Sequence, residues 1–538
     1  MRLLVNNLKL PIEHKEVDLY RAVCKSLRIN QTDIHNLCIR NKSIDARNND
    51  VKYIYTVEAD IDKGERLYNN NRIKNVSLPK GIRYQIPDKN YNGRPIIIGA
   101  GPAGLFCAYA CVEAGVKPIV IERGSKVENR QKDIAKFWEE GILNPNSNVQ
   151  FGEGGAGTFS DGKLNTLIKD KTGRCAYVME TFVKFGAPAN ILYDSKPHIG
   201  TDILVDVIKN MREYINDHGA DIYFNTQVIK LLTTNNNRIT GVVVQSDGNT
   251  FEINSDRVVL AIGHSARDTF EMLDVTGVLM EPKPFAIGVR IEHPRSYIDY
   301  IQYGGDYTNI LPAANYKLTA QTSTGRGVYS FCMCPGGYVV NASSEYGRLA
   351  VNGMSYSGRD GANSNTALIV TVTPDDYPDT SNLSGVKFQR DLEAKAYELT
   401  NGKVPVQTYK DYYGVVCNSV LDNSTYEIPD KYLDGFTPQI KGEYQFSDVS
   451  SIFTDSINKT IIEGMSVFGK KIKGYNSQYA YLSGIESRTS SPVKIPRDDD
   501  GVSPNMMGLY PCGEGAGYAG GITSAAMDGL YIAERIIS

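Results

Sequence analysis

The stretch 95-PIIIGAGPAGLFCAYACVEAGVKPIVIE-122 decides the fold. An apolar β-branched run precedes a glycine turn, a series of small helix-forming residues, and a second apolar run that ends in Glu122. This order predicts strand, turn, helix and strand. Gly99 allows the tight turn, Gly101 lets the backbone approach a pyrophosphate, and Gly104 lets the helix pack close to the sheet. We therefore expect a dinucleotide at the start of the helix, where free N–H groups and the helix dipole favour phosphate.

Two further features extend this prediction. Glu122 lies 23 residues after Gly99, a spacing that suits bonding to ribose hydroxyls and disfavours a 2′-phosphate. The segment 148-NVQFGEGGAGTFSDGKLNT-166 holds five glycines within eleven residues. Such a loop has few side chains of its own to pack, so we expect it to lie against a flat or charged ligand. A flexible structural loop is the alternative interpretation.

Composition excludes several classes of protein. The 58 Lys and Arg residues against 61 Asp and Glu give a net charge of −3, which argues against a chain coated with basic residues for nucleic acid. Nine cysteines, an odd number at low density, follow a start without a secretory signal, which predicts reduced thiols and a cytoplasmic location. The most apolar long stretch, 95–121, is interrupted by glycines and charges, so we expect no membrane span.

The predicted fold class is α/β, with a Rossmann-like domain divided by an insertion. Residues 1–85 predict a small N-terminal β-α-β domain. The first part of the dinucleotide domain is expected at 91–275 and its C-terminal part at 450–538. Between them, 276–449 is rich in Tyr, Ser and Thr and predicts a mostly-β substrate domain.

The N-terminal domain carries a basic segment. A solvated face is one interpretation of this segment, and a docking surface for RNA or a partner protein is the other. The basic residues of this segment are Arg40, Lys42, Arg47 and Lys52.

The ordered series GAGPAG, VIERG, GEGGAGTFSDGKL, VVLAIG and LYPCGEGAG resembles the FAD-binding framework of glutathione-reductase-type flavoproteins with a single Rossmann domain. The resemblance covers about residues 95–538. In particular, the chain is similar to bacterial FAD-dependent dehydrogenases of poorly defined function that carry a small N-terminal domain. FAD is the implied cofactor. Plain NAD at the same unit is the alternative, but a simple NAD dehydrogenase has no use for the C-terminal glycine motif.

The resemblance and the glycine motifs together assign a set of residues to the cofactor. Arg123 and Arg130 are placed near the phosphates. Glu514 stands where the family has an aspartate that bonds the ribitol, and it is one methylene longer. The complete predicted set is Gly99, Gly101, Pro102, Ala103, Gly104, Glu122, Arg123, Arg130, Gly154, Gly155, Gly157, Ser160, Gly162, Lys163, Gly263, Gly513, Glu514, Gly521 and Ile522.

The resemblance implies hydride transfer on a small organic substrate, with NAD(P)H as a possible electron donor. A disulfide reductase is disfavoured because there is no second glycine motif for NAD(P)H, and because Cys107 and Cys111 have three residues between them instead of four. A hydroxylase is disfavoured because Gly263-His264 stands where that branch has Asp-Gly. A flavoprotein that acts on, or senses, RNA or a protein recruited by the N-terminal domain is the alternative function, and a redox-protein partner is also open.

Few residues are candidates for the chemistry, because a flavin itself carries hydride transfer. His264 is the predicted proton donor, since histidine titrates near neutral pH. Lys163 is expected at the flavin edge. Arg290 is a candidate carboxylate clamp, with a surface ion pair as its alternative.

The cysteines leave alternatives open. Cys332 and Cys334 form either a redox pair or two small packed side chains on one face of a strand. Cys512 either touches the flavin or fills space. No further Cys or His lies at ligand spacing, so no metal site is expected.

Overall fold

The structure is a computed structural model that describes residues 1–47, 50–62, 64–70, 73–79, 81–308, 310–421 and 427–538. Its amino-terminal elements are β1 (Arg2–Pro11), α1 (Glu16–Leu27), β2 (Ile34–Asp45), β3 (Lys52–Ile61), α2 (Gly64–Tyr68) and β4 (Val76–Ser77). The strands form an antiparallel sheet in the order β2-β3-β1-β4, and α1 packs against β1. The predicted unit lacked β2, because its residues alternate weakly between polar and apolar.

The amino-terminal sheet is joined to the rest of the chain through its edge strand β2. The Lys42 amide donates to the Tyr193 carbonyl at 2.7 Å, and the Ser195 amide donates to the Lys42 carbonyl at 2.9 Å. Val51, the residue before β3, is buried within a hydrophobic core that consists mainly of residues from the inserted part. The amino-terminal unit is therefore integrated with its neighbour by both backbone bonds and apolar packing.

The next part of the chain builds most of a parallel sheet. Its elements are β5 (Ile96–Ile98), α3 (Pro102–Glu113), β6 (Ile119–Ile121), α4 (Val127–Glu140), α5 (Arg174–Lys184), α6 (Thr201–Asp217), β7 (Asp221–Tyr223), β8 (Thr226–Thr233), β9 (Ile239–Ser246), β10 (Asn249–Asn254), β11 (Val258–Leu260) and α7 (Arg267–Val275). Strands β8, β9 and β10 form a separate antiparallel sheet. Strand β7 belongs to the parallel sheet, whereas β8, which begins three residues after it, belongs to the antiparallel one.

The inserted part spans residues 281–494, and its described residues form a seven-stranded sheet and four helices. Its elements are β12 (Glu281–Pro282), β13 (Phe285–Pro294), α8 (Arg295–Tyr303), β14 (Thr319–Gln321), β15 (Gly327–Cys334), β16 (Tyr338–Asn341), β17 (Val351–Met354), β18 (Asn363–Val372), α9 (Ser384–Thr400), β19 (Val404–Thr408), α10 (Tyr409–Cys417), β20 (Ile440–Lys441), β21 (Tyr444–Phe446), α11 (Asp455–Lys471), β22 (Tyr481–Glu486) and β23 (Val493–Lys494). The large sheet has the order β14-β15-β18-β13-β22-β19-β21.

The inserted part differs from the prediction in two respects. It is more helical than expected, because α9 and α11, of 17 residues each, pack against its sheet. It also extends beyond the division predicted at residue 449, since β22 lies between β13 and β19 in the seven-stranded sheet. Residues 450–494 therefore complete the inserted sheet before the chain returns to the parallel sheet.

The last elements, β24 (Leu509–Pro511) and α12 (Ile522–Ile537), complete the parallel sheet, whose order is β24-β11-β5-β6-β7. Helix α12 lies directly against α3. Small residues allow this approach, because a Cβ atom on Gly529 would lie 2.2 Å from the Ala103 carbonyl oxygen. No helix in the described ranges combines the length and the apolar character needed to cross a membrane.

Candidate functional site

One cavity of about 950 Å³ is lined by both the parallel-sheet part and the inserted part. We call one region the nucleotide end, which is lined by Gly99, Gly101, Glu122, Arg123, Gly152 and Gly155. We call the other region the distal chamber, which is lined by Asp161, Lys163, Lys196, Tyr316, Cys332 and Arg359. His264, Glu514, Gly521 and Ile522 also line the cavity, and so do Pro102, Ala103, Gly157, Ser160, Gly162 and Gly263.

The glycine turn has the geometry that a pyrophosphate needs. Gly99 has a φ of +103°, and a Cβ atom there would lie 2.3 Å from the Ala261 carbonyl oxygen. Gly101 precedes the first turn of α3, and no described side chain caps this helix. The backbone N–H groups of the first turn are therefore available to an anion. Gly104 does not line the cavity. Its role is to let α3 approach the turn, since a Cβ atom on it would lie 1.9 Å from the Gly99 carbonyl oxygen.

Glu122 connects the glycine turn to the glycine loop. Its carboxylate accepts hydrogen bonds from the amides of Ala100 at 2.8 Å, Gly124 at 2.9 Å and Gly152 at 3.1 Å. The side chain is buried at the wall of the cavity. Each carboxylate oxygen has more than one acceptor position. Glu122 can therefore hold the two backbone segments and still accept a hydrogen bond from a hydroxyl group.

Arg130 supports the glycine loop from behind. Its fully buried guanidinium donates to five backbone carbonyls at 2.7–3.3 Å, and burial lowers its pKa to about 10. The predicted position of Arg130 near the phosphates is wrong, because these carbonyls take its donors and it does not line the cavity. The acceptors are the carbonyls of Asn148, Val149, Gly152, Glu153 and Gly155.

Arg123 lies at the nucleotide end with its charge compensated. Its guanidinium pairs with the Asp268 carboxylate and lies 4.5 Å from the centre of the Phe151 ring.

Two predicted glycines, Gly154 and Gly513, shape the backbone and do not line the cavity. A Cβ atom on Gly154 would lie 2.0 Å from the Thr158 hydroxyl, which shows how tightly the loop is packed.

His264 and Glu514 meet at the wall of the cavity. His264 Nδ1 lies 3.6 Å from Glu514 Oε1, and both side chains are largely buried. His264 Nε2 is also buried and makes no hydrogen bond to any described residue. The glycines before α12 line the same wall. The predicted proton donor and the predicted ribitol ligand are therefore neighbours.

The distal chamber contains a buried carboxylate with two cations. Asp161 accepts a hydrogen bond from the Ser355 hydroxyl at 2.6 Å, pairs with Arg359, and lies 3.4 Å from Lys163 Nζ. Burial would raise the pKa of Asp161, but Lys163 and Arg359 outweigh it and hold this pKa below the usual value. Lys196, whose pKa is lowered by burial and by these same two cations, completes the group.

Arg290 is neither a carboxylate clamp nor a surface ion pair, so both predictions for it are wrong. It is fully buried in β13, which lies in the middle of the seven-stranded sheet, and it does not line the cavity. Its guanidinium donates to Asn365 Oδ1 at 2.6 Å and to the Cys332 carbonyl at 2.9 Å. It also lies 3.5 Å from Glu486 Oε2, whose pKa burial raises to about 7.

The cysteines take different positions. Cys332 lines the distal chamber and is partly exposed, whereas Cys334 is buried behind it. Cys107, Cys111 and Cys512 are buried and do not line the cavity.

The sequence did not predict Arg359 or Asp161 as site residues. Asp161 adjoined a glycine that was predicted to bind the cofactor, so its position was the available signal. Arg359 lies 198 residues away along the chain and carries no motif that could have identified it.

The two main parts of the chain match two different protein-family models. Residues 93–290 match the model of the pyridine nucleotide-disulphide oxidoreductases, and residues 284–489 match that of a FAD-dependent protein C-terminal domain. Residues 2–60 match a domain of unknown function. An uncharacterised protein of Clostridium beijerinckii is 45% identical over 546 residues, which cover 100% of this chain and 99% of that protein.

Solved structures show weaker likeness. The flavin-dependent brominase Bmp2, as a triple mutant, is 13% identical with a TM-score of 0.35 over 82% of this chain and 79% of that chain. A flavoprotein/dehydrogenase from Cytophaga hutchinsonii is 15% identical with a TM-score of 0.28 over 53% and 58%. Likeness at this level carries no inference about the substrate.

The chain therefore belongs to the same family as the Clostridium beijerinckii protein, a FAD-dependent oxidoreductase family of pyridine nucleotide-disulphide oxidoreductase type with its own N-terminal domain.

Proposed function

We propose that this protein is a FAD-dependent dehydrogenase or reductase that transfers a hydride between the flavin and a small organic substrate bound in the distal chamber. The observation that carries the proposal is the continuous cavity that joins the glycine turn to the chamber. A ligand that extends from the turn toward the chamber matches a dinucleotide with a reactive ring at one end.

The residues of the nucleotide end would hold the cofactor by its polar groups. The first turn of α3 would bind the pyrophosphate, and Glu122 would accept a bond from the adenosine ribose. Glu514 would bond the ribitol. Lys163, together with the start of α12, would stabilise negative charge on the flavin edge. The flavin, when bound, supplies hydride transfer at its N5 atom.

His264 would supply or remove the substrate proton. Its Nε2 atom is buried at the cavity wall and makes no hydrogen bond to any part of the chain that the structure describes. The Glu514 carboxylate, 3.6 Å from Nδ1, would orient that nitrogen toward itself. Nε2 is then the atom that exchanges a proton with a substrate.

The donor of electrons is tested by an anaerobic absorbance titration of the purified protein with NADH and then with NADPH. We expect loss of the flavin absorbance near 450 nm, a general property of reduced flavins, with one of the two nucleotides. A flavin that stays oxidised with both, but is bleached by dithionite, would contradict a nicotinamide donor. A protein that neither purifies with flavin nor binds added FAD would contradict the proposed function itself.

A further inference from the structure

Cys332 stands at an irregular point of the seven-stranded sheet. The pairing of β15 with β18 shifts register between Phe331 and Cys334, which forms a bulge. Cys332 has a φ of +50°, a left-handed conformation that residues other than glycine rarely adopt. Such strained positions cluster at active sites, and bulges redirect side chains. Here the bulge places Cys332 at the cavity wall and leaves Cys334 buried.

The surroundings of Cys332 are electropositive. Arg290 Nη2 lies 2.9 Å from the Cys332 carbonyl oxygen and 3.2 Å from Cys334 Sγ. Lys163 and Arg359 line the same chamber and share one carboxylate, that of Asp161. The Lys163 ammonium and the Arg359 Nε atom are buried, and neither makes a hydrogen bond within the described ranges. Lys163, Lys196 and Arg359 therefore outnumber Asp161 and Glu486, the carboxyl groups of this part of the cavity, and burial raises the pKa of Glu486 to about 7.

These contacts act on the ionisation of the thiol. Cys334, Lys163 and Arg290 together outweigh burial and hold the pKa of Cys332 below its usual value. The Cys334 thiol also donates to the Cys332 carbonyl at 3.3 Å. Asp161 acts in the opposite direction. The pKa of Cys334 itself is raised, first by burial and then by Cys332. These contacts favour the thiolate, which is the nucleophilic form, at the partly exposed Cys332.

We propose that Cys332 is a nucleophilic site of the distal chamber that reacts with small, negatively charged, soft electrophiles, and that Lys163 and Arg359 hold the negative charge of the electrophile. The Cys332 sulfur forms a bond to the electrophilic carbon or sulfur with its own electron pair. The leaving group, an iodide or a thiolate, departs with the electrons of the bond that breaks. The reaction goes beyond the proposed hydride transfer, because it uses no electrons from the flavin.

The test compares iodoacetate, which is anionic, with iodoacetamide, which is neutral, on the full-length FAD-loaded protein. Peptide mass spectrometry gives the alkylation rate at each cysteine, and the exposed Cys38 and Cys417 serve as internal references. At pH 6, Cys332 should react with iodoacetamide roughly tenfold faster than the references. A larger fraction of Cys332 is thiolate, which speeds the reaction, but a thiolate of lower pKa is a weaker nucleophile, which offsets part of that gain. The ratio of the iodoacetate rate to the iodoacetamide rate should be about threefold higher at Cys332 than at the references. This is the attraction expected from about one net positive charge near 6 Å from the anion in water.

Two variants separate the contributions. Arg359→Met should reduce the iodoacetate preference of Cys332 toward that of Cys417, and Lys163→Met should do so together with weaker flavin binding, because Lys163 is also assigned to the flavin edge. The matched control Lys171→Met, at an exposed lysine in the nearby loop, should leave the preference unchanged. The flavin absorbance of each sample reports whether the chain is folded and loaded.

Two results would overturn the proposal. The first is a Cys332 that reacts no faster than Cys417 in a protein that has bound FAD, which would leave the proposed oxidoreductase function intact. The second is an iodoacetate preference that neither variant changes. A rapid reaction at Cys332 in a chain that binds no FAD would instead support the thiol site and contradict the proposed function.

Discussion

Glu122 is the residue at which the glycine turn and the glycine loop meet. Glu122→Gln should destabilise the fold by about 1.5–3 kcal/mol, since three backbone amides lose an ionised acceptor and the new amide N–H has no acceptor among them. We expect FAD affinity to fall at least about tenfold, which corresponds to 1.4 kcal/mol. Fluorescence titration of the apoprotein with FAD measures this change. Glu139→Gln, at an exposed carboxylate of α4, is the control, and equal affinities in the two variants would contradict the role of Glu122.

Gly99 is predicted to tolerate no side chain. Gly99→Ala would bring a Cβ atom within 2.3 Å of the Ala261 carbonyl oxygen at a φ of +103°. Overpacking of this kind costs about 1–3 kcal/mol, so we expect a lower melting temperature and loss of bound flavin. Gly81→Ala is the matched control, since no described atom lies within 4 Å of its new Cβ atom. Flavin retained in Gly99→Ala at the level of Gly81→Ala would show that the turn does not hold the cofactor.

Residues differed in how far the sequence could predict them. Gly99, Gly101 and Glu122 were predictable because each is fixed by a local motif with a defined spacing. Arg130 and Arg290 were not, because a long side chain finds its partners through the tertiary fold. The sequence suggested a phosphate for Arg130 and a substrate for Arg290, but both guanidinium groups donate to groups of the protein itself.

Single elements show the same contrast. The unit β5-α3-β6 was predicted closely, because two buried strands flank a helix of small residues. The helices of the inserted part were not predicted, since α9 has many polar residues and its buried face includes the charged Glu393.

Glu393 joins α9 to α7 and to the segment after β22. It accepts hydrogen bonds from Arg267 at 2.6 and 2.7 Å and from Arg488 at 2.8 and 3.0 Å, and Arg488 also lines the cavity. Burial would raise the pKa of Glu393, but the two arginines hold it far below the usual value. A carboxylate with a lowered pKa stabilises the fold above its usual pKa, and this contribution is lost as pH falls through the lowered value.

Glu393→Gln should therefore destabilise the fold by about 3–5 kcal/mol at pH 7, because both buried arginines lose their common counter-ion. The variant should also lose part of the acid dependence of the parent protein. Urea unfolding followed at several pH values measures both effects. Glu398→Gln, at an exposed position of the same helix, should change little, and a similar loss in both variants would show that the network does not join these elements.

At the scale of the whole molecule, the N-terminal unit behaves as part of the fold. Its edge strand bonds to the segment at 193–195, and the next residue along, Lys196, lines the distal chamber. Three of its basic residues form ion pairs, Arg40 with Glu58, Arg47 with Asp45 and Lys52 with Asp50, and Lys42 lies over the Tyr53 ring. These pairs do not favour a docking surface for RNA, although the sequence left that interpretation open.

Removal of residues 1–85 should destabilise the remaining chain and reduce its flavin content, since it exposes the apolar surface that Val51 covers and frees the backbone groups at 193–195. Thermal unfolding and the ratio of flavin to protein absorbance measure the effect. A truncated protein with the parent melting temperature and full flavin content would contradict this prediction. That result would instead favour the interpretation in which the N-terminal unit recruits RNA or a partner protein.

We expect FAD to extend from the glycine turn to the entrance of the distal chamber, which stays free for the substrate. Equilibrium binding of FAD, FMN and NAD to the apoprotein tests it most directly, with flavin fluorescence and calorimetry as the readouts. We predict one FAD per chain, with affinity at least about a hundredfold above that of FMN or NAD, a difference of about 2.7 kcal/mol. NAD binding as tight as FAD binding, or FMN binding as tight as FAD binding, would contradict the assignment of the glycine turn and the adjoining part of the cavity to FAD.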